Sequence, residues 1–221
     1  MSPAAQRNPM PLLARSPPAV RNSCRRRAQT SSVVGAPDIP AAMAPMVRER
    51  RMLIVFGGLP GTGKTTLARA FTRERLATYL RIDTIEQALR SSDMLAGDVG
   101  PAGYIVAYAL AEANLRLGRI VVAESVNPLA ITRNAWRKVA AAANSAIFEI
   151  EVVCSDTDEH RRRVETRTID VAGLTRPTWQ QVVDRQYEPW DRPRLVVDTA
   201  NRTPAETLED LRSRFDCRSS A

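Results

Sequence analysis

One short motif constrains this chain more than any other feature. Residues 58–65 read Gly-Leu-Pro-Gly-Thr-Gly-Lys-Thr, which satisfies the pattern G-x-x-x-x-G-K-[ST] at every fixed position. The apolar run 52–56 before it predicts a buried strand, and residues 66–71 after it continue as a predicted helix. In such an arrangement glycines let backbone N–H groups surround an anion, and the helix N-terminus adds partial positive charge. The motif therefore predicts a site for the phosphates of a nucleoside triphosphate.

Nine consecutive residues are the predicted contacts to this nucleotide. The Lys64 ammonium should reach the β- and γ-phosphates, and the Thr65 hydroxyl should ligate Mg²⁺. The expected ligands are therefore ATP and Mg²⁺. The full predicted set is Gly58, Leu59, Pro60, Gly61, Thr62, Gly63, Lys64, Thr65 and Thr66.

The positive charge of the chain is concentrated at its N-terminus. The 221 residues carry a net charge of +8, but residues 1–51 alone hold nine arginines and two acids, a net charge of +7. The other 170 residues hold 23 basic and 22 acidic side chains, so the folded part is nearly neutral. Because nucleic-acid binding requires basic surface, this balance favours a small-molecule partner over a polynucleotide.

Residues 1–50 are predicted to be a disordered basic leader, followed by one domain over residues 51–221. The leader is rich in proline and serine and has no apolar periodicity, so it cannot bury enough surface to offset its ordering entropy. Three interpretations stay open. The leader is an organelle transit peptide, an arm that contacts nucleic acid, or an artefact of a start that belongs at Met43, Met46 or Met52. The last is favoured, because the first predicted strand begins directly after Met52.

The cysteine and histidine content narrows the chemistry further. Three widely spaced cysteines predict a reducing compartment without a disulfide framework or zinc site. His160 is the only histidine, so a general base in this protein is expected to be a carboxylate. No apolar segment of about 18 residues is present, which predicts a soluble, cytoplasmic protein.

Strands alternate with helices along the whole domain, which predicts an α/β fold with a parallel sheet. Three carboxylates, Asp83, Glu124 and Asp198, each follow an apolar run that is a predicted strand. In parallel sheets ligands bind beyond the carboxyl ends of the strands. We therefore expect these three acids to lie at the same sheet edge as the phosphate motif.

Two of these acids are candidate catalytic or metal-binding groups. Asp83 is predicted to act as general base toward an acceptor hydroxyl, and the alternative is that it caps the helix that follows. Glu124 is predicted to hold Mg²⁺ or its water shell, and the alternative is an ordinary acid at a strand end.

An arginine-rich helix follows the fourth predicted strand, with Ser155 as its expected N-cap. Arg163 and Arg167 are four residues apart, so they should share a helix face and could neutralise charge on a transferring phosphoryl group. The alternative is a solvated face paired with nearby acids. That alternative is favoured for Arg161 and Arg162.

The chain resembles the small P-loop kinase family, whose members are often labelled AAA-type ATP-binding proteins. The family includes chloramphenicol phosphotransferase-like, gluconate kinase-like and polynucleotide 5′-hydroxyl kinase domains. The resemblance covers about residues 52–214, and the matching features are residues 56–67, the acid at position 83, the segment 118–124 with Arg133 and Trp136 after it, the arginine-rich helix, and residues 196–199.

This resemblance implies a three-layer P-loop NTPase fold of the nucleoside-kinase type. It implies a five-stranded parallel sheet of order 2-3-1-4-5, with a helical lid at about residues 155–190. It also implies transfer of the γ-phosphate of ATP to a hydroxyl, with Asp83 as base and Arg163 or Arg167 as the lid arginine. Asp198 and Thr199 match the part of the family that lies beside adenine.

The chain departs from the family pattern in ways that bear on the acceptor. Glu86 occupies the position where polynucleotide kinases of this type carry an arginine that contacts substrate phosphate. A small hydroxylated metabolite is therefore the favoured acceptor. The alternatives are a polynucleotide 5′-kinase and a non-catalytic ATP-binding switch. Nothing in the sequence resembles the sensor segments of ring-forming AAA ATPases, so the expected state is a monomer or dimer.

Overall fold

Five parallel strands form one sheet at the centre of the described structure. The computed structural model describes residues 51–92 and 97–219, so the predicted leader over residues 1–50 lies outside the described part. The strands pair in the order β2-β3-β1-β4-β5, which confirms the predicted sheet. Their bounds are Met52–Gly57 (β1), Thr78–Arg81 (β2), Ile120–Glu124 (β3), Ala146–Val153 (β4) and Leu195–Asp198 (β5).

Seven helices connect or follow these strands within the described ranges. Their bounds are Lys64–Arg75 (α1), Ile82–Arg90 (α2), Ala102–Arg116 (α3), Ala130–Ala142 (α4), Thr157–Thr166 (α5), Trp179–Val183 (α6) and Pro204–Ser219 (α7).

Helices cover both faces of the sheet, and the central strand β1 shows why. Side chains alternate between the two faces of a strand. Leu53 and Val55 belong to a core cluster with α3 and α4, whereas Ile54 and Phe56 belong to a second cluster with α1 and α7. All four of these side chains are buried. A strand with two covered faces must be apolar throughout, and the expected three-layer architecture is confirmed.

Strand register brings distant acids and bases to one edge of the sheet. Glu124, the last residue of β3, pairs with Phe56 of β1 on one side and with Arg81 of β2 on the other. Asp198 pairs with Val153 at the corresponding end of β4 and β5. The predicted clustering of acidic strand ends beside the phosphate motif is therefore present.

Two local details around α5 differ from expectation. The N-cap is Asp156 instead of Ser155, and its side chain accepts a hydrogen bond from Glu159 N at 2.9 Å. Ser155 lies one residue before this N-cap, and its backbone N–H donates to Asp198 Oδ1 at 3.0 Å. The helix also ends at Thr166, so Arg167 lies just beyond the shared face on which it was expected.

The capping interpretation of Asp83 is also wrong. Helix α2 begins at Ile82, so Asp83 already lies inside its first turn, and the N-cap position belongs to Arg81. The Asp83 carboxylate is therefore available for other contacts. Across the two described ranges no helix is long and apolar enough to cross a membrane.

Candidate active site

The loop between β1 and α1 adopts a conformation that only glycine accommodates easily. Gly58, Gly61 and Gly63 all have positive φ angles, of 145°, 88° and 87°. A Cβ atom at Gly58 would lie 2.3 Å from the Val152 carbonyl oxygen, and one at Gly61 would lie 2.5 Å from Val164 Cγ2. The loop therefore packs closely against both β4 and α5, and any side chain at these two positions would displace it.

Side chains from later parts of the chain fix this loop in place. Thr199 Oγ1 donates to the Thr62 carbonyl at 3.0 Å, and His160 Nε2 donates to the Pro60 carbonyl at 2.8 Å. His160 itself is buried under the ring of Trp179, with ring centroids 5.1 Å apart. The only histidine thus supports the phosphate loop, a role that its position in the sequence did not indicate.

Lys64 is a buried cation at the first position of α1. The Glu124 and Asp83 carboxylates are near enough for their charges to act on its ammonium, and only 5% of the residue is exposed. Burial lowers the pKa of Lys64, although both carboxylates act in the opposite direction. A buried ammonium of this kind is poised to accept an additional anion, because the anion would replace lost hydration.

Glu124 is the centre of a buried hydrogen-bond cluster. Only 1% of the residue is exposed. The Thr65 hydroxyl donates to its Oε1 at 2.5 Å, and the Tyr79 hydroxyl donates to its Oε2. Burial and the Glu124 charge together raise the pKa of Tyr79, so this phenol stays a donor. The Arg81 Nε lies 3.8 Å from the same Oε2.

This cluster fits a metal ion whose other ligands come from a nucleotide. The described residues hold no group of three or more His, Cys, Asp or Glu side chains that could bind a metal alone. Mg²⁺ in phosphate-binding sites normally takes only one or two protein ligands, with phosphates and waters completing its shell. The Thr65 hydroxyl beside the buried Glu124 carboxylate is a donor set of this kind.

Arg81 connects this cluster to the segment between β4 and β5. Its Nη1 donates to both carboxylate oxygens of Asp170, at 3.0 and 2.8 Å, and its Nη2 lies 3.4 Å from Asp83 Oδ2. Arg69 of α1 also contacts Asp170, at 2.5 Å. Burial would raise the pKa of Asp170, but Arg81 and Arg69 outweigh burial and lower it. Asp170 therefore ties the β4–β5 segment to the phosphate side of the site.

The two arginines expected in this segment have different environments. Arg163 donates from Nη1 to Thr199 Oγ1 at 2.7 Å and from Nη2 to the Thr199 carbonyl at 2.9 Å and to Glu159 at 2.7 Å. Arg167 lies near enough to Lys64 for the two positive charges to repel. Both arginines border the same cavity. Arg161 instead pairs with Glu165 on the surface, as its solvated-face interpretation predicted.

Two neighbouring cavities lie beside the loop. The first has a volume of about 340 Å³ and is lined by the phosphate motif together with arginines and an acid: Lys64, Thr65, Arg69, Arg81, Arg167 and Asp170. The second has a volume of about 300 Å³ and is lined mainly by Leu67, Thr199, Arg202, Pro204 and Thr207. Gly63, Thr66 and Arg163 line both. Asp198, by contrast, accepts N–H groups from Ser155 and Ala200 and supports the second cavity indirectly.

Two residues near Asp83, Glu86 and Tyr104, form a surface that we call the acceptor wall. Glu86, one turn further along α2, is half-buried and packs on α3, where a Cβ at Gly103 would lie 2.4 Å from its Cγ. Burial raises the pKa of Glu86, and the charge of Asp83 adds to this effect. The Tyr104 hydroxyl accepts a hydrogen bond from Asn127 N at 3.3 Å. This wall is acidic and aromatic.

Buried Arg133 holds the loop after β3 against the segment before β5. Its Nη1 donates to the carbonyls of Pro128 and Glu188 at 3.3 and 3.1 Å, and its Nη2 donates to the Pro189 carbonyl at 3.1 Å. The guanidinium also stacks on the Trp190 ring, 4.7 Å from its centroid. Its Nη1 also lies 3.5 Å from the Asn127 carbonyl, so one side chain contacts four backbone carbonyls from two loops.

We expect the Arg133→Met variant to lose about 3 kcal/mol of unfolding free energy, because it leaves buried carbonyls without donors. Chemical denaturation monitored by tryptophan fluorescence measures this loss. The control is Lys138→Met on the same helix, whose exposed side chain should change stability by less than about 0.5 kcal/mol. Equal stability of the two variants would contradict a structural role for Arg133.

Comparison with known families identifies the domain. The family model AAA_33, described as an AAA domain, matches residues 53–189, which include the glycine loop, Asp83, Glu124 and both arginines of the β4–β5 segment. The chain belongs to the AAA_33 family. The resemblance to small P-loop kinases is thereby confirmed, and the fold of this AAA_33 protein is that of a P-loop NTPase. No curated protein matches the chain.

Solved structures with the same fold include several kinases. APS kinase CysC from Mycobacterium tuberculosis, in complex with AMPPNP and APS, is 23% identical with a TM-score of 0.57, covering 76% of this chain and 98% of that chain. A gluconokinase from Sinorhizobium meliloti 1021 is 17% identical with a TM-score of 0.54, covering 77% and 94%. Kti12 from Chaetomium thermophilum, in complex with ADP-AlF3, is 25% identical with a TM-score of 0.55, covering 74% and 97%. Identities this low relate the folds and leave the acceptor open.

Proposed function

We propose that this AAA_33 protein is a kinase that transfers the γ-phosphate of ATP to a hydroxyl group of a small-molecule acceptor. The observation that carries this proposal is the convergence of Lys64, Thr65, Asp83 and Glu124 at the end of the glycine loop. Phosphoryl transfer needs little covalent chemistry from the protein, but it needs a phosphate cradle, a buried cation and a positioned base. The glycine loop, Lys64 and Asp83 are the groups that we propose for these three roles.

In this proposal the loop and α1 hold the nucleotide. Backbone N–H groups of Gly61 and Gly63 and the N-terminus of α1 would bind the phosphates, and Lys64 would place its charge on the β- and γ-phosphates. Thr199 lines the 300 Å³ cavity that would receive the adenosine, and Asp198 orders the backbone beside it. The CysC and Kti12 structures, which have the same fold, contain the nucleotides AMPPNP and ADP-AlF3, and this supports a nucleotide site here.

Thr65 and Glu124 are the residues that would hold Mg²⁺. When bound, the ion would supply positive charge against the negative charge that develops on the phosphate oxygens. Tyr79 and Arg81 orient the Glu124 carboxylate, since one donates to it and the other lies 3.8 Å from it. This support explains why a carboxylate can be so deeply buried.

Asp83 is the proposed general base. It accepts the proton of the acceptor hydroxyl while the acceptor oxygen bonds to the γ-phosphorus. The bond from that phosphorus to the bridging oxygen breaks, and its electron pair leaves on ADP. Arg163 and Arg167, which border the phosphate cavity, would stabilise the negative charge of the transferred group.

The acceptor wall favours an uncharged, hydroxylated small molecule. Glu86 and Asp83 would repel a phosphate next to the reacting hydroxyl, and the nearly neutral domain offers little attraction for a polynucleotide. The test is an ATP-consumption screen over antibiotics, sugars, nucleosides and 5′-hydroxyl oligonucleotides. Turnover with small alcohols supports the proposal, whereas turnover with oligonucleotides alone would replace it with a polynucleotide kinase.

A non-catalytic switch is the second candidate, and the Asp170 contacts give it a physical basis. A bound γ-phosphate would compete with Asp170 for Arg81 and Arg69, so ATP could reposition the β4–β5 segment without any transfer. Tryptic cleavage of this segment with ATP, ADP or no nucleotide measures such repositioning. Nucleotide-dependent cleavage without acceptor turnover in the screen would favour the switch.

We expect the Arg163→Ala variant to lower the rate of transfer by about 100-fold or more, because charge on the transferring group loses a guanidinium partner. Steady-state kinetics with the best acceptor from the screen measure this effect. Arg161→Ala is the matched control, since its surface pair with Glu165 is worth about 1 kcal/mol at most. If the two variants lose activity equally, Arg163 does not act in the transition state, and Arg167→Ala becomes the decisive variant.

A further inference from the structure

Asn127, the third residue after β3, has a buried side chain whose polar atoms are not used within the fold. The residue is completely buried. Its side-chain atoms Oδ1 and Nδ2 both lack a hydrogen-bond partner among the described residues. Roughly nine in ten or more of the buried polar groups in proteins are hydrogen-bonded, and each exception requires an explanation. The Asn127 carboxamide is therefore free to donate to and accept from a ligand.

The backbone holds Asn127 in an unusual conformation. Its φ angle is 51°, and the other asparagines with positive φ, Asn144 at 49° and Asn201 at 53°, are exposed. The Asn127 N–H donates to the Tyr104 hydroxyl at 3.3 Å, and Arg133 Nη1 lies 3.5 Å from the Asn127 carbonyl. Positive φ angles outside glycine cost energy, and such residues cluster at functional sites. The main chain thus fixes the place of the carboxamide from both of its sides.

The contact with Tyr104 places Asn127 beside the acceptor wall. Burial raises the pKa of Tyr104, and the charges of Glu86 and Asp83 act in the same direction. The hydroxyl that accepts from Asn127 N therefore lies near both carboxylates, one of which is the proposed general base. The segment around Asn127 is also joined to the start of the glycine loop, because Gly58 N donates to the Val126 carbonyl at 3.1 Å.

The last residue of β1, Gly57, leaves space next to the Asn127 side chain. A Cβ atom at Gly57 would lie 3.4 Å from Asn127 Cβ and 3.1 Å from Trp190 Cζ2. The φ angle of Gly57 is not positive, so the backbone conformation does not require glycine at this position. The missing side chain matters for space instead, since a larger residue would crowd both Asn127 and Trp190.

We propose that Asn127 determines acceptor specificity by binding a second hydroxyl group, next to the hydroxyl that reacts. The acceptor is then a polyol, which means a diol or a sugar. A carboxamide donates through Nδ2 and accepts through Oδ1, and a hydroxyl group also donates and accepts, so the two groups are complementary. The inference rests on the proposed kinase function for the role of the reacting hydroxyl, but binding of a polyol at this site does not require phosphoryl transfer.

The groups near Asn127 suit hydroxyls better than anions. Asp83 and Glu86 are carboxylates, which accept hydrogen bonds from hydroxyl groups and repel negative charge. Arg90 contacts Oε2 of Glu86 at 3.3 Å, and both side chains are partly exposed. Several hydroxyls of one acceptor could therefore be bound at once, with the reacting hydroxyl on Asp83 and a neighbouring hydroxyl on the Asn127 carboxamide.

Asn127→Gly is the variant that tests this proposal, because it removes the carboxamide and tolerates the positive φ angle. Asn144→Gly is the matched control, since it makes the same substitution at a similar φ angle but at an exposed residue. Both variants should have a chemical denaturation midpoint close to that of the wild type, because neither loses a side-chain hydrogen bond that stabilises the fold.

Saturation-transfer NMR in the presence of a non-hydrolysable ATP analogue measures polyol binding without any transfer. The probes are glycerol, D-ribose, D-glucose and myo-inositol. The wild type and Asn144→Gly should bind at least one of them, and Asn127→Gly should bind that probe about 10-fold more weakly, the scale of one hydrogen bond. The wild type should also discriminate against the deoxy analogue that lacks the second hydroxyl, because binding it leaves the carboxamide unpaired. Asn127→Gly should lose this discrimination.

The outcomes separate this proposal from the kinase function. Weaker polyol binding and lost discrimination in Asn127→Gly alone support the polyol site, even if the acceptor screen detects no transfer, a result that would contradict only the kinase function. A wild-type protein that binds none of the four probes would overturn the proposal. Equal binding by Asn127→Gly and the wild type would overturn it as well, and a lower denaturation midpoint of that variant would then assign Asn127 a structural role.

Discussion

Replacing Lys64 with alanine should weaken ATP binding by at least about 100-fold, the scale expected when a buried charge pair loses one partner. Lys64 is nearly fully buried and feels the charges of Glu124 and Asp83, so its removal leaves these two carboxylates without a nearby compensating ammonium. The nucleotide would then lose an attractive charge and meet uncompensated repulsion. Among the single substitutions considered, this is the one with the largest expected effect on nucleotide affinity.

Isothermal titration calorimetry with a non-hydrolysable ATP analogue measures the loss directly. A second readout is the rise in melting temperature caused by saturating nucleotide, which should vanish in the variant because a ligand stabilises only a protein that binds it. Lys138→Ala, at an exposed position of α4, is the matched control. Wild-type affinity in the Lys64→Ala protein would remove the assignment of the loop as a triphosphate site.

Replacing Asp83 with asparagine should leave ATP affinity close to that of the wild type but cut transfer by about 100-fold or more, the usual scale of general-base loss. Asparagine keeps the size of the side chain and removes only its ability to accept a proton. Its structural cost should be small, because Arg81 keeps its hydrogen bonds to Asp170 and its proximity to Glu124.

Single-turnover kinetics separate this chemical step from binding. The matched control is Glu86→Gln, one helical turn away on α2, which should mainly change the apparent affinity for the acceptor. Full transfer by the Asp83→Asn protein would mean that another group accepts the proton. A larger loss in the Glu86→Gln protein would assign that role to Glu86.

Local sequence was enough to predict the phosphate loop and the layered sheet. Residues 58–65 specify the loop conformation locally, because glycine occurs where φ is positive and where the loop packs against β4 and α5. The apolar runs and the alternation of strands with helices are likewise local signals, and they placed Asp83, Glu124 and Asp198 at the correct edge of the sheet.

The partners of these acids were missed because they come from elsewhere in the chain. Tyr79 and Arg81 lie 45 and 43 positions before Glu124, yet parallel pairing of β2 with β3 brings them beside it. The available signal was that Tyr79 and Arg81 occupy alternate positions of β2, because alternate side chains of a strand lie on the same face. Asp170 gave no signal at all, because it lies in a segment without regular periodicity.

By itself the sequence determined the anion-binding loop and the strand ends that surround it, because each depends on residues close together in the chain. Only the tertiary structure decided that Lys64 is buried within reach of the charges of two acids, that Arg163 donates to Thr199, and that Asp170 contacts both Arg69 and Arg81. Such contacts depend on strand order, register and helix packing, which are set by burial of the whole core and not by any single segment.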